Sequence, residues 1–171
     1  MANIFFTSDT HFGHLNKRGT GIIDYCKRPF KDIIEMDNAL IENWNRKVSM
    51  YDIVYHLGDF SFYNFSIAKL NGYIQFIKGN HDAKKWPDFA VVKFKGKKIL
   101  LRHKPFEKYE DISYPQCDII FCGHVHEKWL FKICKSLNNE SKLMINVGVD
   151  MWNFEPVTFD EIMKNVRIRS M

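Results

Sequence analysis

The chain is 171 residues long, with 46% apolar residues, 26% charged residues and a net charge of +5 at pH 7. That is the composition of a globular chain able to bury a core without disulfides, and it excludes a fibre or a disordered tail. No apolar run approaches the roughly 18 residues of a membrane-crossing helix and the first residues lack a secretory pattern, so one cytoplasmic domain over residues 1–171 is expected.

Asn3–Thr7 is a short apolar run with room only for a buried strand. Residues 10–31, broken by Gly13, Gly19, Gly21 and Pro29, read as a long irregular loop, and loops of that length in compact domains usually carry function. From Asp32 to Val48 the period becomes helical, because Met36, Leu40, Ile41, Trp44 and Val48 share one face. Asp32 and Glu35 are spaced as a capping box at its start. Asp52–Leu57 is a second strand, Ser66–Leu70 a short helix stopped by Asn71-Gly72, and Tyr73–Lys78 a third strand. Ala90–Phe94 and Lys98–His103 form a hairpin about Lys95-Gly96. Asp118–Cys122, Trp129–Cys134 and Leu143–Val147 are further strands, and Phe159–Val166 is a closing helix. This order predicts a mixed α/β fold with sheet packed on sheet and helices outside.

Cysteines 26, 117, 122 and 134 form no C-x-x-C pair and read as buried or half-buried thiols of a reducing compartment. The seven histidines are more telling. One strand runs into Asp9-Thr-His11, the next into Gly58-Asp59, and the third into Gly79-Asn80-His81-Asp82. Later strands run into His103 and into Gly123-His124-Val-His126. Ligand sites of open α/β sheets lie beyond the carboxyl ends of strands, and glycines there suit tight turns. Asp, His and Asn without Cys make an N/O site for Mn, Fe or Zn rather than a thiolate-bound structural zinc. If Asp9, His11, Asp59, Asn80, His103, His124 and His126 are ligands and one carboxylate bridges, two ions each receive four bonds and keep positions open for water and substrate.

These five blocks, in this order over residues 9–126, resemble the signature of the calcineurin-like metallophosphoesterases. The Ser8–His14 opening, Arg28-Pro29-Phe30, Asn146–Asp150 and Trp152-Asn153-Phe154 extend the likeness toward small bacterial, archaeal and phage-type members. The segment Asn16–Ile23 is less regular than that pattern. The resemblance implies a four-layer αββα sandwich. It implies that Asp9, His11 and His126 hold one metal, that Asn80, His103 and His124 hold the other, and that Asp59 bridges them. His81 would stabilise the scissile phosphate or protonate the leaving oxygen, with Asp82 orienting its imidazole. The implied reaction is phosphoester hydrolysis by in-line attack of a hydroxide bridging two divalent transition-metal ions, Mn first, with Fe, Zn or Ni as alternatives.

Other residues keep two readings. His14 is a support or substrate contact, or a loop histidine at the surface; Arg28 clamps a phosphate or caps the following helical region. His56 is a satisfied core histidine or a support for Asp59, and Asp150 and Asn153 brace the site or merely form a turn. Eight Lys and Arg between residues 84 and 104 against one acid form a solvated hairpin face or a surface that steers nucleic acid. A chain of this length has little sequence for a cap, so an open site for phosphodiesters, and also monoesters, of nucleotide-like substrates is expected. A nuclease acting on nucleic-acid ends and a non-catalytic metal-binding scaffold are the competing functions, the second disfavoured by the intact His81 and ligand set.

Overall fold

The computed structural model describes residues 2–16, 18–82, 85–106, 116–135 and 141–169. The first half supplies β1 (Ile4–Thr7), α1 (Ile22–Cys26), α2 (Ile33–Lys47), β2 (Ile53–His56) and β3 (Tyr73–Phe76). The second supplies β4 (Phe89–Phe94), β5 (Lys97–Arg102), β6 (Ile119–Cys122), β7 (Phe131–Lys135), β8 (Ser141–Asn146), β9 (Val157–Thr158) and α3 (Phe159–Arg169). Two sheets result, in the orders β3-β2-β1-β9 and β4-β5-β6-β8-β7. β1, β2 and β3 are mutually parallel, as are β5, β6 and β8, while β9, β4 and β7 pair antiparallel.

Side-chain alternation builds the layers. Phe5 and Val54 face outward and meet Met36, Leu40 and Trp44 of α2. Phe6 faces the other way, into an inter-sheet core with Ile99, Leu101, Phe121 and Ile145. Leu100, Ile120 and Met144 point to the far side of the second sheet, where they meet Phe106, Cys117 and Cys134. α3 adds Ile162 and Val166 to the inter-sheet core, with Phe159 edge-on to Phe94 at 5.6 Å. The fold is thus the mixed α/β sandwich expected from the element order.

Helix α2 begins as its sequence predicts. Asp32 accepts the amide of Glu35 at 2.9 Å, although the Glu35 carboxylate takes the amide of Lys31 rather than closing the box on Asp32. Two elements differ from expectation. The loop over residues 10–31 contains the five-residue α1, whose one buried residue is Ile22. The two-residue β9 precedes α3 and carries no pattern of its own at that length. The short helix expected before Asn71-Gly72 is a 3-10 helix, Ile67–Lys69. The cysteines are free, three buried and Cys26 half-buried. Among the described residues no helix is long and apolar enough to cross a membrane.

The arrangement of the parallel strands positions the site. β1, β2 and β3 in one sheet and β5, β6 and β8 in the other direct their carboxyl ends to a common edge of the sandwich, where residues of both sheets meet.

Candidate metal centre

At that edge the backbone turns sharply. Among the described residues nine non-glycine residues have positive φ, and five of them are candidate ligands: Asp9 (60°), His11 (52°), Asp59 (55°), His124 (71°) and His126 (48°). Such conformations cost on the order of 1–3 kcal/mol each and persist only where the surroundings hold them. Here the amides of Asp9 and His11 donate to the carbonyls of Gly58 and Asp59, each at 3.0 Å, and the amide of His124 donates to Asp9 Oδ2 at 2.9 Å. Gly58, at φ +99°, needs the freedom of glycine for its turn, and a Cβ there would also lie 2.4 Å from the Gly79 nitrogen. Gly123 is glycine for a different reason: a Cβ would sit 2.4 Å from Asp9 Oδ2, inside the site.

The candidate ligands fall into two groups. Donor atoms of Asp9, His11 and His126 lie within 4.8 Å of one another, and so do those of Asp59, His103 and His124. Asp59 Oδ2 stands between the groups, 3.6 Å from His11 Nε2 and 3.3 Å from His103 Nε2. Asn80 Oδ1 is 3.0 Å from the same His103 nitrogen. His103 Nδ1 faces the Leu57 carbonyl at 2.8 Å and must donate to it, so the neutral ring presents a lone pair at Nε2. In the neutral ring a lone pair, a carboxylate oxygen and an amide oxygen would face each other, so either a proton on Nε2 or a metal cation must lie among them. Asp9 Oδ1 and His11 Nε2 are buried without a hydrogen-bond partner, which is costly unless another species satisfies them. These donors fit divalent metal ions.

Titration reflects the same crowding. Burial pulls the His103 imidazole down, but its bond to Asp59 and the charges of Asp9 and Asp59 outweigh this and leave it raised. Burial pushes the Asp59 carboxyl up, yet the hydrogen bond and charge of His103 hold it well below the usual carboxylate range. Burial takes His11 down to about 2, so its ring is neutral and able to ligate.

Surrounding groups orient the ligands. His126 Nδ1 lies 3.0 Å from Asp150 Oδ2, which leaves Nε2 as the nitrogen that could ligate a metal. Burial lowers the His126 pKa, but bonds to Asp150 and Cys26 carry it up to about 10; burial raises that of Asp150, and its bond to His126 and the charge of Arg28 bring it down to about 2. Asp150 therefore braces the site, while Asn153 is an exposed turn residue at φ 52°. Arg28 corrects the expectation of a phosphate clamp. Its guanidinium is buried and donates to both Asp150 oxygens at 2.8 and 2.9 Å and to the carbonyls of Asp9 and Thr10. Asp82 is likewise corrected: its carboxylate accepts the amides of Asp59, Phe60 and Gly79 at 2.7–3.0 Å, so it ties two loops together instead of orienting the His81 ring.

His81 sits at the rim with 47% of its side chain exposed, Nε2 4.0 Å from Asp59 Oδ2, its amide donating to Asp59 Oδ1. His14 Nδ1 meets His11 Nδ1 at 3.1 Å, and its ring lies parallel to Phe62 at 3.8 Å. For His11 Nε2 to bind a cation, His11 Nδ1 must be the donor of that bond and His14 its acceptor. His56 is a satisfied core residue. The Thr10 hydroxyl donates to the Phe60 carbonyl and so accepts from His56 Nε2, while the Gly58 amide donates to His56 Nδ1. Three further contributors escaped the sequence reading. Phe62 stacks on two histidines; Cys26 places its sulfur within 4.8 Å of His126 and Asp150 donor atoms; Asn146 donates to the His126 and Trp129 carbonyls at 2.7 and 3.1 Å, holding the left-handed turn. An Asn at a strand end was the one visible signal among them.

The profile of the calcineurin-like phosphoesterase superfamily domain matches residues 2–159. An uncharacterized protein of Methanocaldococcus jannaschii is 39% identical over 171 residues, covering 96% of this chain and 91% of its own. The crystal structure of a protein of unknown function from Aquifex aeolicus superposes with a TM-score of 0.71 at 28% identity, over 96% of this chain and 99% of that one. A solved archaeal phosphodiesterase aligns more distantly, with a TM-score of 0.45 and 21% identity over 85% of this chain and 82% of its own.

Proposed function

Because the chain belongs to the calcineurin-like phosphoesterase superfamily, we propose that it hydrolyses phosphodiesters, and also monoesters, of nucleotide-like substrates with two divalent metal ions, Mn first among them. The observation that carries this reading is Asp59 Oδ2, set between two groups of donors in which Asp9 Oδ1 and His11 Nε2 are buried and unpartnered. Asp9, His11 and His126 would hold one ion, Asn80, His103 and His124 the other, and Asp59 both. Bound there, the ions supply Lewis acidity, which makes a nucleophile from water at neutral pH and neutralises phosphate oxygens.

The chain's own residues do the rest. Two carboxylates, Asp9 and Asp59, would not cancel two divalent charges, so a loaded site would keep an excess of positive charge for the phosphate. His81, exposed at the rim beside Asp59, is placed to stabilise a phosphate oxygen or to give a proton to the leaving oxygen. Asp82 holds its loop against the backbone of Asp59, and Arg28 with Asp150 fixes the His126 ring. The exposure of His81 supports an open site that accepts the two substituents of a diester.

The test is a screen of metal-reconstituted protein with Mn, Fe, Ni, Zn and Mg. Substrates would be bis(p-nitrophenyl) phosphate, p-nitrophenyl phosphate, cyclic nucleotides and single-stranded oligonucleotides. Mn-dependent diester turnover, abolished by EDTA and restored by metal, is expected. A protein that binds two ions and turns over no ester with any of them would overturn the proposal.

A further inference from the structure

The basic run at residues 84–104 divides in the structure. Lys84 lies outside the described residues, and Lys85 lies over the Trp86 ring. Lys93 and Lys97 are exposed on the β4–β5 hairpin, and Lys95 bonds Asp160. Arg102 and Lys104 part from them and, with Lys78, line a cleft of about 390 Å³ whose wall includes Asn80 and His103. That volume is in the range of small-molecule sites. Among the described residues Lys78, Arg102, Lys104 and the carboxylate Asp88 line the cleft, and two further lining residues are candidate ligands.

Each cation is placed by something other than the cleft. The Arg102 guanidinium lies 3.9 Å above the centroid of the buried Phe106 ring, and the Lys78 amide donates to the Pro87 carbonyl at 2.8 Å. Lys104 follows His103 directly at the end of β5. The Lys78–Asp88 pair is loose, at 3.5 Å with 81% of the Asp88 side chain exposed. Exposed pairs of this kind contribute at most about 1 kcal/mol, so an anion can displace the carboxylate.

We propose that this cleft is a subsite for a second phosphate, and that the substrate carries one adjacent to the phosphate being hydrolysed. The proposal deepens the reading above and rests on it, because Asn80 and His103 form a wall common to the metal centre and the cleft. The second phosphate belongs either to the next linkage of a nucleotide chain or to the same nucleotide. Asp88 tempers the subsite by competing for Lys78.

The experiment is a chemical-shift titration of the full chain in EDTA, so that binding is read without turnover and independently of the hydrolysis screen. The probes are the dinucleotide TpT, the trinucleotide TpTpT, thymidine 5′-monophosphate and thymidine 3′,5′-bisphosphate. The doubly phosphorylated member of at least one pair should bind about tenfold more tightly at low salt, as charge-assisted contacts to a phosphate allow, and should shift the amides of Gly79, Asn80 and Lys104. A gain with TpTpT alone assigns the subsite to a chain phosphate; a gain with the bisphosphate assigns it to a terminal one. Lys78→Gln with Lys104→Gln should erase the ratio, Asp88→Asn should raise it, and Lys93→Gln with Lys97→Gln should leave it as in the parent. Equal affinities within both pairs, or a ratio that survives Lys78→Gln with Lys104→Gln, would overturn the proposal.

Discussion

Asp59 gives Oδ1 to the amide of His81 and turns Oδ2 toward His11 and His103. Asp59→Asn keeps that shape and removes the charge, so both groups of donors should lose affinity together, by more than the roughly 10–100-fold typical of supporting residues. Elemental analysis beside kinetics checks it; two retained ions with normal turnover would deny Asp59 its shared role. His81 predicts the converse. His81→Ala should keep its metal content and lose about 10²–10⁴-fold in kcat, the usual worth of a positioned acid or base. Loss of metal in that variant would make His81 a ligand instead.

Arg28 works at the scale of elements. It follows α1, holds the carbonyls of Asp9 and Thr10 beyond β1, and pairs with Asp150 beyond β8. Arg28→Ala takes a cationic partner from the buried Asp150 carboxylate and a donor from the carbonyls of Asp9 and Thr10, and should lower stability by about 3–5 kcal/mol, measured by urea unfolding in EDTA. A substrate clamp would instead raise KM and leave unfolding unchanged. The contrast shows what the sequence could and could not disclose. The candidate ligands were legible because each sits a few residues past a strand whose pattern is local, as at Asp9-Thr-His11 and Gly123-His124. Arg28 was ambiguous because its partner is 122 residues away. The role that the resemblance implies for Asp82 did not disclose its backbone partners, because the amides it binds belong largely to another loop. Helix α1 and strand β9 are too short to show a period, and left-handed turns at aspartate and histidine leave no trace in residue type.

The whole molecule carries two of its buried histidines, His11 and His56, as a liability in acid. Burial brings His56 down to about 3 from an ordinary value near 6.5. As pH falls from 6.5 toward 3 the unfolded chain takes up the proton and the native ring does not, so stability drops by about 1.4 kcal/mol per pH unit from this group. Above pH 6.5 the ring is neutral in both states and contributes no slope. Urea midpoints of the metal-free protein and of His56→Gln across that window check it: the variant should show a shallower acid limb, and parallel limbs would refute the assignment.

Asp9, His11, Asp59 and Asn80 come from the edge of one sheet, and His103, His124 and His126 from the edge of the other. Each group of donors therefore draws on both sheets. An ion held by either group would act as a rivet through the open end of the sandwich, where a chain with free cysteines has no covalent fastening. Binding that favours the native state raises stability by mass action, about 4 kcal/mol at a free concentration a thousand times Kd. Thermal melts should therefore climb with Mn concentration and fall with EDTA, and amide exchange beyond β1 and β6 should slow in step. The metal supply would then govern how long the protein survives as well as how fast it works.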